Sequence, residues 1–265
     1  LAKEREFIIT DTPPKVFLVG ISQPVETGLN DYLKYRGKQW NRNEFVYPES
    51  LIAFGGAVCY DSLNNPSGKS DREYIGTSII EHAHGSVLEH VHVNLAVASL
   101  PRSTQLELVR HRAGMAYSFR STRFADNWIE FCVPPAMREH GQARTLFESH
   151  ARFTFDMYGE LAEQIMNDPF LDISPTLQRK RIKEAARDIL GGCVGSDGLV
   201  TMNARALRHI IQLRTADDAA VSIREFAYEV YRATELWLPS IFQDATEVAP
   251  TGEGPPVVQF AHPKI

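Results

Sequence analysis

Cysteine is scarce in this sequence. Cys59, Cys132 and Cys193 are the only three in 265 residues, and no two of them form a CxxC pair. That excludes a disulfide framework and zinc-ribbon spacing, and it fits a reducing cytoplasm. Long apolar runs are missing as well: none approaches the ~18 residues of a membrane helix. The opening residues, LAKEREFIITDTPPK, have no apolar core and do not read as a signal peptide. Positive charge is not in excess. A formal net charge of −5 argues against a general nucleic-acid binder. Lysine is also rare, at 8 residues against 20 arginines.

What is present is ordinary for a soluble globular chain, with 43% hydrophobic and 23% charged residues. No repeat and no clear linker interrupts it, so residues 1–265 are expected to form a single domain. KVFLVG (15–20), VHVNLAVAS (91–99), WIEFCVPP (128–135) and GLVTMN (198–203) read as strands. Helices are expected at 49–60, 72–83, 102–111, 143–166, 175–190, 204–214 and 219–238, the last capped by Asp217 or Asp218. Residues 64–71 read as a loop, and the Pro/Gly-rich tail from 250 as irregular. Strands do not alternate regularly with helices, so the expected class is α+β, a mixed or antiparallel sheet flanked by helices.

Three stretches hold candidate chemistry. EHAHGSVLEHVHV (81–93) contains four histidines, but there is no HExxH and no cysteine at metal spacing. His90, His92 and Asn94 alternate with Val91 and Val93, which gives a strand one polar face. No metal is expected there; a ligand-facing surface or hydrogen-bonded structural histidines fit better. In RHRAGMAYSFRSTRF (110–124), basic residues end a helix pattern and enter a glycine-containing loop. Arg102, Arg110, Arg112, Arg120 and Arg123 gather arginines in an acidic chain, which suits either an anion site or a solvated helix end. In TMNARALRHIIQLR (201–214), Arg205 and His209 are i,i+4 neighbours, weak evidence taken alone.

Together these segments resemble the flavin-dependent thymidylate synthases. That family's signature is RHR, seven or eight residues, then SxR. Arg110-His111-Arg112 and Ser121-Thr122-Arg123 fit the eight-residue form. HAHGSVLEH matches the family's HxHxSxxEH-like segment, NARALRHIIQLR its NARALRHxxxxR helix, and AARDILGG part of an AARxxLP-like element, in the same order over about residues 50 to 230. The resemblance implies that His84, Ser86, Arg110, His111, Arg112, Asn203, Arg205 and His209 take FAD. It implies that Ser121, Arg123 and Arg187 take the nucleotide, mostly through its phosphate, and that Arg214 favours ionisation of the uracil N3. The implied reaction is C5 methylation of dUMP, with methylenetetrahydrofolate as carbon donor and NADPH as reductant. The implied assembly is a homotetramer with sites at subunit interfaces.

The sequence also departs from the family pattern. Glu107 stands where Gln is usual, and YSFR replaces a loop that often carries Asn-Glu. Asp218 and Ala220 replace His and Gln after Arg214, and Ala57 replaces a common Arg. Glu107 could accept a hydrogen bond from a ribose 2′-hydroxyl, so methylation of UMP, as in relatives from nucleoside-antibiotic pathways, is the alternative. A non-catalytic nucleotide- and flavin-binding protein on the same fold is a third reading.

Overall fold

The computed structural model describes residues 5–41, 47–122, 124–125, 127–166 and 174–264. In chain order these form β1 (Glu6–Thr10), β2 (Lys15–Ile21), α1 (Glu26–Arg36), α2 (Ser50–Cys59), α3 (Asp71–Tyr74), β3 (His92–Pro101), α4 (Arg102–Leu108), β4 (Met115–Phe119) and β5 (Trp128–Cys132). There follow α5 (Pro135–Arg138), α6 (Gly141–Met166), α7 (Pro175–Ala186), β6 (Val194–Asn203), α8 (Ala204–Arg214), α9 (Val221–Thr234), β7 (Ala245–Val248) and β8 (Val257–Phe260). The class is α+β. The chain divides into two compact units, residues 1–15, 97–110 and 118–198, and residues 16–96, 111–117 and 199–265.

In the first unit the strand order is β1-β5-β6-β3. β1 runs parallel to β5, with Phe7 beside Ile129 and Ile9 beside Phe131, while β5 and β6 are antiparallel. α6 repeats apolar or small residues at 147, 151, 155, 158, 162 and 165, close to helical spacing, and lays that stripe on the sheet. Ile129, Phe131, Tyr158 and Val194 are buried in the resulting core with Ile182 and Leu190. Each such large side chain contributes about 1.5–3 kcal/mol. Glu130 points to the other face of β5 and is also buried. Hydroxyls of Thr10 and Ser99 donate to its carboxylate, so this buried acceptor is satisfied.

In the second unit the remaining halves of β6 and β3 are followed by β2, and β4 pairs with β6. α2 forms despite two adjacent glycines because the packing needs them. A β-carbon on Gly56 would stand 3.0 Å from the Tyr74 ring. α8 buries Leu207, Ile210 and Ile211, and α9 buries Ile223, Phe226 and Val230. Two buried arginines anchor the C-terminal residues. Arg208 donates to the Ile241 carbonyl, to both carboxylate oxygens of Asp244 (2.7 and 3.1 Å) and to the His262 carbonyl. Arg224 donates to the carbonyls of Glu253 and Pro255 and pairs with Asp217 at 2.9 Å.

Several elements differ from the sequence expectation. The helix expected at 72–83 is a short α3 continued by a π-helical turn, Ile75–Ile80, and Ala83 adopts φ +56°. A 3-10 turn, Gly85–His90, follows, so His90 precedes the strand that begins at His92. MAYSF (115–119), expected as loop, is β4. The tail is not irregular throughout: β8 pairs antiparallel with β7. Neither Asp217 nor Asp218 caps α9. Its N-cap is Ala220, without a side-chain hydrogen bond, and Asp217 instead accepts from Thr251.

Candidate active site

α8 begins at Asn203, whose side-chain oxygen accepts the Ala206 N–H at 2.8 Å. This N-cap is worth about 1 kcal/mol and fixes where the helix starts. The Asn203 N–H in turn donates to the Gly114 carbonyl at 2.9 Å. Gly114, at φ +71°, is the glycine of the RHR loop, so that loop is tied to the first turn of α8. Tyr117 on β4 ties its other side, its hydroxyl donating to the His111 carbonyl at 2.5 Å. Within α8, Arg205 and His209 are exposed and Arg208 is buried. The i,i+4 candidates Arg205 and His209 thus share the exposed face, while Arg208, which the sequence did not single out, packs inward.

The loop and the helix meet again further along. Arg214 Nε donates to His111 Nε2 at 2.9 Å. The His209 ring lies 5.8 Å from the His111 ring, edge-on at 64°. Burial first, then the Arg214 charge and the neighbouring His209, push the His111 pKa down to about 4. His111 is therefore a neutral imidazole at neutral pH, able to accept the Arg214 hydrogen bond.

Arg205 pairs with Glu89 at 2.7 Å, a partner that no sequence motif indicated. His82 donates from Nδ1 to the Thr77 carbonyl at 2.7 Å and stacks on His84, ring centroids 6.0 Å apart. The Tyr60 ring is the second ring contact of His84, with centroids 5.3 Å apart. His84 is half-buried and Ser86 exposed. Among the described residues, no three His, Cys, Asp or Glu side chains gather as a metal site.

In the first unit, Glu107 and Arg110 end the α4 segment, with the Arg110 N–H donating to the Glu107 carbonyl. The Ser121 carbonyl accepts from the N–H groups of Phe124 and Ala125, making a tight turn. Arg123 lies outside the described residues. Arg187 opens the 3-10 turn after α7; its Nε is buried and takes no hydrogen bond among the described residues, with the Asp188 carboxylate at 3.9 Å. Such a buried donor suits an anionic ligand. Arg120 has partners within its own unit. Its guanidinium sits 3.5 Å above the Trp128 ring and donates to the Trp128 carbonyl.

The family described as "Thymidylate synthase complementing protein" matches residues 44–240. A flavin-dependent thymidylate synthase of Mycobacterium avium (strain 104) is 33% identical over 227 residues, 84% of this chain and 89% of its own. Enzymes of the same name from Mycobacterium sp. (strain JLS) and Corynebacterium glutamicum are each 33% identical, covering 77% and 74% of this chain and 82% and 79% of their own. The chain belongs to the flavin-dependent thymidylate synthase family. Its second unit exposes Arg112, Arg205 and His209, hydrogen-bond donors of the kind that would suit the pyrophosphate of a flavin dinucleotide. Among the departures from the family pattern, Asp218 is exposed and Glu107 half-buried.

Proposed function

We propose that this chain, as one functional domain, catalyses reductive C5 methylation of dUMP, using methylenetetrahydrofolate and NADPH with FAD bound. The observation that carries the reading is the joining of His111, His209 and Arg214 within a member of this family. The bound flavin would supply hydride transfer. Around it, His84, Ser86, Arg110, His111, Arg112, Asn203, Arg205 and His209 hold and orient the dinucleotide. Arg205 exchanges its pairing with Glu89 for the ligand or shares it. Ser121, Arg123 and Arg187 bind the nucleotide phosphate. The buried Nε of Arg187, without a hydrogen bond among the described residues, supports that assignment.

Arg214 acts on the ring. A guanidinium facing N3 and O4 of uracil stabilises negative charge as it builds there, and it does so more strongly in the transition state than in the bound nucleotide. No cysteine attack at C6 is needed. We further propose that the protein is a cytoplasmic homotetramer; no described helix is long and apolar enough to cross a membrane.

A second reading keeps the chemistry and changes the substrate to UMP. It is favoured by one residue, Glu107, a half-buried carboxylate at a position where the family resemblance leads one to expect a neutral amide. Anaerobic turnover with NADPH, methylenetetrahydrofolate and either dUMP or UMP, followed by product mass, decides. A methylated product from dUMP is expected. Methylation of UMP alone selects the second reading, and bound flavin without methylation of either selects a non-catalytic binder.

A further inference from the structure

An arginine side chain has no acceptor and does not lose its proton, so the nitrogen that receives its hydrogen bond must offer a lone pair. At 2.9 Å from Arg214 Nε, His111 Nε2 is that acceptor. The ring must therefore be neutral with its proton on Nδ1. The titratable and charged groups facing the ring are Arg214 and His209 from α8, and the Tyr117 hydroxyl from β4 holds the His111 backbone. Burial, the Arg214 charge and the neighbouring His209 all oppose protonation of the ring. The RHR loop is itself tied to α8 through Gly114 and Asn203, so the ring cannot drift along the helix without breaking a second contact.

We propose that His111 is the positioning residue for Arg214: its neutral Nδ1–H tautomer accepts from Arg214 Nε and fixes the plane of the guanidinium, so that the Nη edge is presented to the pyrimidine. The catalytic consequence rests on the methylation reading above; the tautomer and the bond do not. A histidine that served only as a flavin contact would act independently of Arg214. The two roles make different predictions for a double-mutant cycle.

The experiment has two arms. In the first, single-turnover methylation is measured at saturating FAD and nucleotide, with flavin content checked, for the wild type, His111→Ala, Arg214→Ala and the double variant. Each single change should lower the rate by about 10²-fold, with nucleotide KM little changed. The double variant should fall within about threefold of Arg214→Ala. His111→Gln, whose side-chain oxygen can accept from Nε, should recover most of the loss. Multiplicative losses, or a His111→Gln variant as slow as His111→Ala, would overturn the proposal. The second arm needs no activity. Nitrogen NMR of the histidine rings in the protein without nucleotide should show His111 neutral with hydrogen on Nδ1, and Arg214→Ala should change that signal. Hydrogen on Nε2 would overturn the proposal whatever the rates. A wild type that methylates neither nucleotide refutes the methylation reading and leaves the NMR arm to decide the bond.

Discussion

A β-carbon placed on Gly114 would stand 2.3 Å from the Asn203 amide nitrogen. The RHR loop and the cap of α8 are thus in direct backbone-to-side-chain contact, at a residue that also needs φ +71°. Gly114→Ala must move the cap or distort the loop. We expect a loss of at least the cap's ~1 kcal/mol, with added strain from the left-handed backbone. Urea unfolding measures it, and weaker flavin retention should accompany it. An unchanged midpoint would mean that the cap is not coupled to the loop.

His111 should titrate far below an ordinary histidine. Its folded value is pushed from 6.5 down to about 4 by burial, Arg214 and His209. The folded state therefore binds this proton less readily than the unfolded chain. The stability contribution is fully present above the unfolded value near 6.5 and is lost as pH falls through about 4. Arg214→Ala removes one opposing charge and should raise the midpoint. Proton NMR of the imidazole gives both values, and a wild-type midpoint above 6 would contradict the geometry.

Asp244→Ala should be among the more damaging changes away from the site. It leaves Arg208, 4% exposed, without its bidentate carboxylate partner. Removing one partner of a buried pair costs about 3–5 kcal/mol. Arg208→Met, which removes the charge and keeps an apolar stem, should cost less. Denaturation of both variants checks the order, and equal stability of Asp244→Ala and wild type would refute the anchoring role.

The cysteines should be dispensable for chemistry. All three are free, and burial raises the thiol pKa of Cys132 and Cys193, so neither is an activated thiolate. A variant with serine at 59, 132 and 193 should lose some stability at the buried Cys132 and keep methylating. A folded, flavin-bound triple variant with no methylation would reveal a missed nucleophile.

Much of the architecture was legible because local sequence and tertiary packing agree. NARALRHIIQLR carries its cap, its apolar stripe and its ending in one stretch, and α8 spans the expected residues 204–214. The length of α6 and the mixed class followed from the same periodicity. Agreement failed where a contact distant in sequence decides. Asp217 looks like a cap beside α9, yet Thr251, 34 residues away, and Arg224 take its oxygens. β4 has no strong strand pattern of its own and exists because β6 offers it an edge.

The sequence by itself determined the family, the residue types at the candidate site and the boundaries of the helix that carries three of them. The family resemblance assigned Arg205 and His209 to the flavin and Arg214 to the uracil, but the sequence did not show which side chain each of them meets. Only the tertiary structure decided that Arg208 is buried against Asp244 and that Arg205 faces Glu89. Only the tertiary structure put Arg214 on His111, 103 residues earlier in the chain. The reason is physical. Periodicity reports which face of a helix is apolar, but the partner of a polar side chain is set by what the fold brings within hydrogen-bond reach.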